Sequence, residues 1–283
     1  MQTHDTMPDP TYELFALRYA SNPRRTARDS FLMQHDVHDG PLPLDFFVWA
    51  AVCDGQVILI DGGANEGTCR ARGHDFERCP ADALRAIGLD PAAVTDLIVT
   101  HMHWDHAGNF DRFPNATLHV HPSEMTHATG PCMCEPVLRR PYDIEQVCAM
   151  LRALYGGRLR FCDDDFTVAP GITVHHMGGH TPGLQVVRVN TTRGRVVLAS
   201  DAMHYFANAT TRNPFPVVVH VDAYLKALHR VVALADTPAH VVPGHDPAVL
   251  RMYPPVNEVS AGFAVRLDAE PLLSSPLRAS PRS

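Results

Sequence analysis

The sequence lacks what would take it to a membrane, a nucleic acid or an oxidising compartment. No apolar run approaches the roughly 18 residues that a spanning helix needs, which excludes such a segment. The opening, MQTHDTMPDP, is polar and acidic where an export signal would carry positive charge and then an apolar stretch, so a cytoplasmic protein is expected. Basic residues number 24 against 31 acidic ones, a formal charge of −7, and the basic footprint of a nucleic-acid binder is missing. Cysteine is present but unorganised. The seven residues Cys53, Cys69, Cys79, Cys132, Cys134, Cys148 and Cys162 form an odd, scattered set that reads as reduced thiols. Cys132-Met133-Cys134 is the one tight pair, and no second Cys or His pair at zinc-finger spacing accompanies it. A Gly-x-Ser-x-Gly nucleophile elbow is absent as well.

What the chain does have is histidine, 18 residues of it, in a background that is 45% hydrophobic and 19% charged, enough for a globular core. Strand-like composition covers 12–19, 45–53 and 56–60, the last two flanking Asp54-Gly55, a strong hairpin signal. A short helix is predicted from Pro80 to Ile87, stopped by Gly88, and a helical turn opens at Asp90-Pro91. Strands follow at 95–100 and 116–121, then a helix start at Pro122. The Pro-rich stretch 129–142 reads as a connection able to lie over a site, and Asp143 as the cap of a helix running to about Leu154. The second half returns to strands at 165–168, 172–175, 184–190 and 195–199, a helix from Asp222 to Ala235, and a last strand at 239–242. Two facing sheets with helices outside is one layer solution for this order, among other α/β arrangements.

Polar clusters gather where these strands end. HMHWDHAGN (101–109) places His101, His103, Asp105 and His106 within six positions immediately after an apolar strand. His101 and His103 are two apart, so an extended backbone presents them on one face. GGHTPG puts His180 between glycines, LASD puts Asp201 beyond an apolar strand, and VVPGH does the same with His245. Each alone reads equally well as a turn histidine, a capping carboxylate or a loop histidine. Together they are a set of strand-end donors suited to a shared metal centre.

With HMHWDHAGN, GGHTPG, LASDAM and VVPGHD in that order, and LIDGG (59–63) upstream, the sequence resembles the metallo-β-lactamase superfamily from roughly residue 45 to 250. The resemblance implies an αββα sandwich with the metal site at the edge of the two sheets. One domain over 1–273 would precede a flexible tail, 274–283. It further implies one metal on His101, His103 and His180 and a second on Asp105, His106 and His245, with Asp201 bridging and Asp61 supporting the ligands from behind. Imidazole and carboxylate suit Zn²⁺, and also Fe, Mn or Co. The family's di-iron redox branch carries Glu where this chain has His103, which points to the hydrolytic side.

Within the superfamily the sequence is most similar to N-acyl-homoserine lactone hydrolases. That implies a small-molecule lactone or ester as substrate, opened by a metal-bridging hydroxide, with Asp105 passing a proton to the departing alkoxide. In those enzymes a Tyr shortly after the bridging Asp holds the lactone carbonyl. Here Tyr205 stands one residue later and His204 takes its place, so either is a candidate oxyanion donor. Trp104, Met133, Phe206 and Phe215 are candidates for an apolar substrate wall. A glyoxalase II-like thioesterase or another ester or amide hydrolase on the same centre, an iron-dependent thiol oxygenase and a non-catalytic metal-binding module are the alternatives, and a homodimer is a further expectation.

Overall fold

Long apolar runs broken by tight turns give the first third of the chain a hairpin-built sheet. The computed structural model describes residues 9–34 and 39–277. β1 (Glu13–Asn22) pairs antiparallel with β2 (Leu44–Cys53), and β2 with β3 (Gln56–Ile60). The β2–β3 reversal falls on Asp54 and Gly55, at φ 49° and 81°, the left-handed pair that a two-residue hairpin requires. Beyond β3 come α1 (Glu66–Ala71), the two-residue β4 (Asp75–Phe76) pairing on β1, and α2 (Pro80–Ala86). β5 (Val94–Ile98) and β6 (Thr117–Val120) then extend the sheet in parallel. The next stretch holds α3 (Pro122–Ala128), α4 (Pro136–Arg139) and α5 (Ile144–Tyr155), the last capped by the Asp143 side chain, before β7 (Leu159–Phe161) joins β6.

The second sheet is a meander of β8 (Asp165–Ala169), β9 (Ile172–His176), β10 (Gln185–Thr191) and β11 (Gly194–Leu198). After α6 (Phe206–Thr211) and α7 (Val221–Leu234), β12 (Val241–Val242) adds in parallel to β11. α8 (Ala248–Met252) leads to β13 (Ala264–Arg266), which returns to the outer side of β1.

Two-residue periodicity explains why the sheets stack. Along β2, Phe47, Trp49 and Ala51 enter one apolar cluster, while Phe46, Val48 and Ala50 enter another. The first cluster fills the space between the sheets, joining Ile58, Ile60 and Ile98 to Val174, Val186 and Val197, and continues to Tyr224 and Val231 of α7. The second seats α2 and α5 on the outer face of the first sheet through Leu84, Val147 and Met150. Helix, sheet, sheet, helix is the expected αββα layering. Strand and helix limits lie within about three residues of those predicted, as fraying ends do. Stretch 129–142 is less open than its prolines suggest, holding a 3-10 turn at Pro131–Cys134 as well as α4. Residues 278–283 of the Ser/Pro-rich tail lie outside the described residues, and Leu277, just before them, is buried as a member of the first cluster.

Candidate metal centre

Every candidate ligand lies just beyond the C-terminal end of a strand, at one edge of the sandwich. Asp61 follows β3, the 101–106 segment follows β5, His180 lies between β9 and β10, Asp201 follows β11, and His245 follows β12. Two glycines let these loops close on one another. A Cβ on Gly62 would collide with the carbonyl oxygen of Gly108, and one on Gly244 would lie 2.5 Å from the carbonyl oxygen of Ser200. Asp61 and Ser200 themselves have left-handed backbones, φ 62° and 44°. Such conformations in non-glycine residues cluster at functional sites.

The structure brings all seven predicted ligands together, each no more than 8% exposed. Ligand atoms of His101, His103, His180 and Asp201 lie within 4.8 Å of one another, as do those of Asp105, His106 and His245. Asp201 stands between the two groups. Its Oδ2 is 3.0 Å from Nε2 of His180 and 3.5 Å from Nε2 of His101. Its Oδ1 is 2.9 Å from Nε2 of His245 and 3.2 Å from Nε2 of His106. Asp105 reaches the second group through Oδ2, 3.5 Å from Nε2 of His106 and 3.7 Å from that of His245.

Hydrogen bonds behind the cluster decide which nitrogen keeps its proton in three of the rings, those of His101, His106 and His245. Asp61, fully buried, accepts from the Thr100 backbone N–H (2.8 Å), the Thr100 hydroxyl (2.9 Å) and Nδ1–H of His106 (2.7 Å). With its proton committed to that carboxylate, the Thr100 oxygen accepts from Nδ1–H of His101 (3.1 Å) and from the Ser200 hydroxyl (2.9 Å). His245 donates Nδ1–H to the carbonyl oxygen of Asp45 (2.8 Å). In the neutral rings the Nε2 atoms of His101, His106 and His245 are thereby left as lone pairs aimed into the cluster. Those of His101 and His106 are buried without a hydrogen-bond partner.

That donor set fits a cation. In neutral His245 the Nε2 lone pair would face a carboxylate oxygen at 2.9 Å, which is repulsive unless a positive charge lies between them. Asp61, Asp105 and Asp201 are all buried, and no Lys or Arg forms an ion pair with them among the described residues. Burial would push the Asp201 carboxyl up, but the surrounding His204, His245, His106 and His180 imidazoles hold it well below the ordinary range. Burial and neighbouring imidazoles push His101 and His103 well down, keeping them in the neutral form that a metal needs. His106 moves the opposite way: burial lowers it, and Asp105, Asp201 and Asp61 outweigh burial.

His204 and Tyr205 part company. His204 extends Nε2 to within 3.0 Å of Oδ2 of Asp201 and stacks on Phe215 with ring centroids 3.7 Å apart. Burial lowers its pKa to about 3, so it is a neutral imidazole. Tyr205 is in extended backbone, so its side chain takes the opposite side, and its buried ring packs in the first-sheet core near Ser30 and Arg25. Of the candidate wall residues, Phe206, Phe215 and Trp104 all belong to the buried core clusters, and Trp104 also stacks on His74. The end of the 129–142 stretch does cover the site: Pro141 accepts the Trp104 N–H at 2.9 Å, and Tyr142 packs edge-on against His103.

Sequence reasoning missed Glu124. Fully buried, it accepts from the Met102 N–H through one oxygen and from the Gly183 N–H through the other, both at 2.8 Å. One carboxylate therefore ties the 101–106 segment to the His180 loop. In the sequence it reads only as an acid in the first turn of a helix. Replacing Glu124 by Ala leaves two buried N–H groups unpaired, at about 1–3 kcal/mol each. The expected result is a denaturant midpoint lowered by a comparable loss of stability, together with weaker metal retention. Unchanged values of both would contradict the role.

The family model of the metallo-beta-lactamase superfamily matches residues 46–245, a span that contains all seven candidate ligands and Asp61. The chain belongs to that superfamily. Among its curated relatives is an N-acyl homoserine lactonase AttM from Azorhizobium caulinodans, 30% identical over 234 residues, covering 74% of this chain and 84% of the relative. The N-acyl homoserine lactonase AiiA of Bacillus thuringiensis subsp. kurstaki is 25% identical over 181 residues, 64% of this chain and 66% of the relative. A solved quorum-quenching N-acyl homoserine lactone lactonase superposes with a TM-score of 0.69 at 22% identity, covering 84% of this chain and 94% of that one. The superfamily chain thus has the metallo-β-lactamase fold. No helix among its described residues is long and apolar enough to cross a membrane.

Proposed function

We propose that this chain is a dinuclear metal-dependent hydrolase that opens the ring of an N-acyl homoserine lactone or a close relative. His101, His103 and His180 would hold one cation, Asp105, His106 and His245 the other, and Asp201 both, with Zn²⁺ the best match to nitrogen and oxygen donors. The observation that carries this reading is the division of Asp201, one oxygen toward each group of imidazoles. Two such cations lower the pKa of bound water toward about 7 and polarise a carbonyl oxygen. The protein's own part is positional. Asp61 and Thr100 fix the rings of His101 and His106, the Asp45 carbonyl fixes His245, and Glu124 keeps the two loops in register. His204 donates Nε2–H to Asp201 and fixes that carboxylate's plane. The Tyr205 hydroxyl, buried and without a hydrogen-bond partner, is kept as a candidate oxyanion donor.

Asp105 is assigned a relay: ionised because neighbouring His106 and His245 outweigh burial, it would take the proton of the attacking water once that oxygen has bonded to the carbonyl carbon, and pass it to the departing alkoxide as the ring bond breaks. An Asp105→Asn enzyme is expected to lose at least about a hundredfold in kcat, the low side of what general acid–base catalysis supplies, with measured metal content showing whether ligation was lost too. Full activity with both cations retained would exclude the role. The function itself is tested by following proton release from homoserine lactones, aromatic lactones and S-lactoylglutathione with one metal-loaded preparation. Homoserine lactones are expected to turn over fastest. Preference for the thioester would support the glyoxalase II-like alternative, and no turnover with two cations bound would remove the enzyme reading.

A further inference from the structure

His121, Asp164 and His176 form a second cluster of ligand atoms within 4.8 Å of one another, composed of none of the residues assigned to the centre. They come from three parts of the fold: His121 follows β6 in the first sheet, His176 ends β9 in the second, and Asp164 lies in the link between the sheets. The two imidazoles are stacked nearly parallel, with centroids 4.0 Å apart and an interplanar angle of 8°. Oδ1 of Asp164 lies 3.3 Å from Nδ1 of His176 and 3.7 Å from Nε2 of His121. Ligands about 2.0–2.2 Å from a tetrahedral zinc are separated by about that much.

The proton inventory again leaves a gap that a cation would fill. His176 donates Nε2–H to the carbonyl oxygen of Pro182 at 2.8 Å, and a carbonyl only accepts. In the neutral ring Nδ1 is therefore a lone pair, facing a carboxylate oxygen 3.3 Å away. His121 is held differently, its Nδ1 accepting the Ser123 N–H at 3.2 Å. It can ligate through Nε2 only by moving its proton to Nδ1 and giving up that long bond, so it is the weakest of the three ligands.

We propose that His176, Asp164 and His121 form a peripheral site for a divalent transition-metal ion such as Zn²⁺, which clamps the two sheets together beside the centre. The clamp has a mechanical consequence. Pro182, bonded to His176, lies in the same loop as His180, and Met177 and Gly178 both donate to the carbonyl of Leu184 at the base of that loop. An ion here stiffens the segment that presents His180 without touching the reacting atoms.

The test is metal content per chain, measured after equilibrium dialysis of the full-length protein against Zn²⁺. The native chain is expected to bind one equivalent more than the Asp164→Asn variant. Asp164 is a largely exposed side chain, so its replacement leaves the fold and the central ions in place. His176→Ala is expected to lose the same equivalent, and His121→Ala to weaken it less. Equal zinc content in native and Asp164→Asn protein overturns the proposal, whatever the centre holds. Loss of the two central equivalents from the native protein would instead overturn the functional reading and leave the difference between native and variant intact.

Discussion

An Asp201→Asn protein is expected to keep its fold, lose at least one of its two metal ions and hydrolyse its substrate at least about a thousandfold more slowly, about 4 kcal/mol in the barrier. The reason is the number of partners that depend on one carboxylate. Four imidazoles lie within 3.2 Å of its oxygens, His180 and His204 at Oδ2 and His106 and His245 at Oδ1. An amide offers one acceptor oxygen, and its NH2 group meets the remaining ring nitrogens as a donor that can ligate nothing. The charge matters as well, since those imidazoles together hold Asp201 ionised against its burial. Metal analysis alongside single-turnover kinetics checks the outcome. Undiminished metal content and rate would remove Asp201 from the centre.

An Asp61→Ala substitution is expected to act on stability first and metal second. It strands three buried donors, the Thr100 N–H, the Thr100 hydroxyl and His106 Nδ1–H, at about 1–3 kcal/mol each. It also puts Ala at φ 62°, without the short polar side chain that eases Asp into the left-handed region, which adds at most about 1 kcal/mol. A loss on the order of 5 kcal/mol corresponds to a fall in Tm of roughly 10 °C or more in a chain of this size. Freed of their anchor, His101 and His106 lose their fixed tautomers, and metal affinity is expected to drop about 10- to 100-fold, as when other ligand-orienting partners are removed. Asp61→Asn keeps the turn, because Asn tolerates the left-handed region. It should lose less stability while still weakening metal. Equal melting of native and Asp61→Ala protein would show that this network is not what holds the loop.

The candidate site was legible because its ligands fall in short motifs, each beginning where an apolar strand stops. A strand end is a fixed point from which a loop can present a side chain. The layers were legible for a similar reason: β2 and β10 are long enough for two-residue alternation and β-branched composition to speak. Contacts fixed by the backbone were not legible. The Asp45 carbonyl that orients His245 lies 200 residues away in sequence, and any residue supplies a carbonyl. Glu124 resembled a helix-start acid because that role and its actual one share the same position. His204 and Tyr205 were both candidates for substrate contact because adjacency hides which face of an extended chain each occupies. The short elements α1, α6, β4, β7 and β13 span too few residues for a period to emerge.

The central claim is that seven converging side chains grip two cations with Asp201 between them. Anomalous scattering at the zinc edge from crystals of the zinc-loaded protein tests it most directly. The account predicts two peaks about 3.5–4 Å apart, both touching Asp201, one among His101, His103 and His180 and the other among Asp105, His106 and His245. A single peak, or two that leave Asp201 untouched, would contradict it.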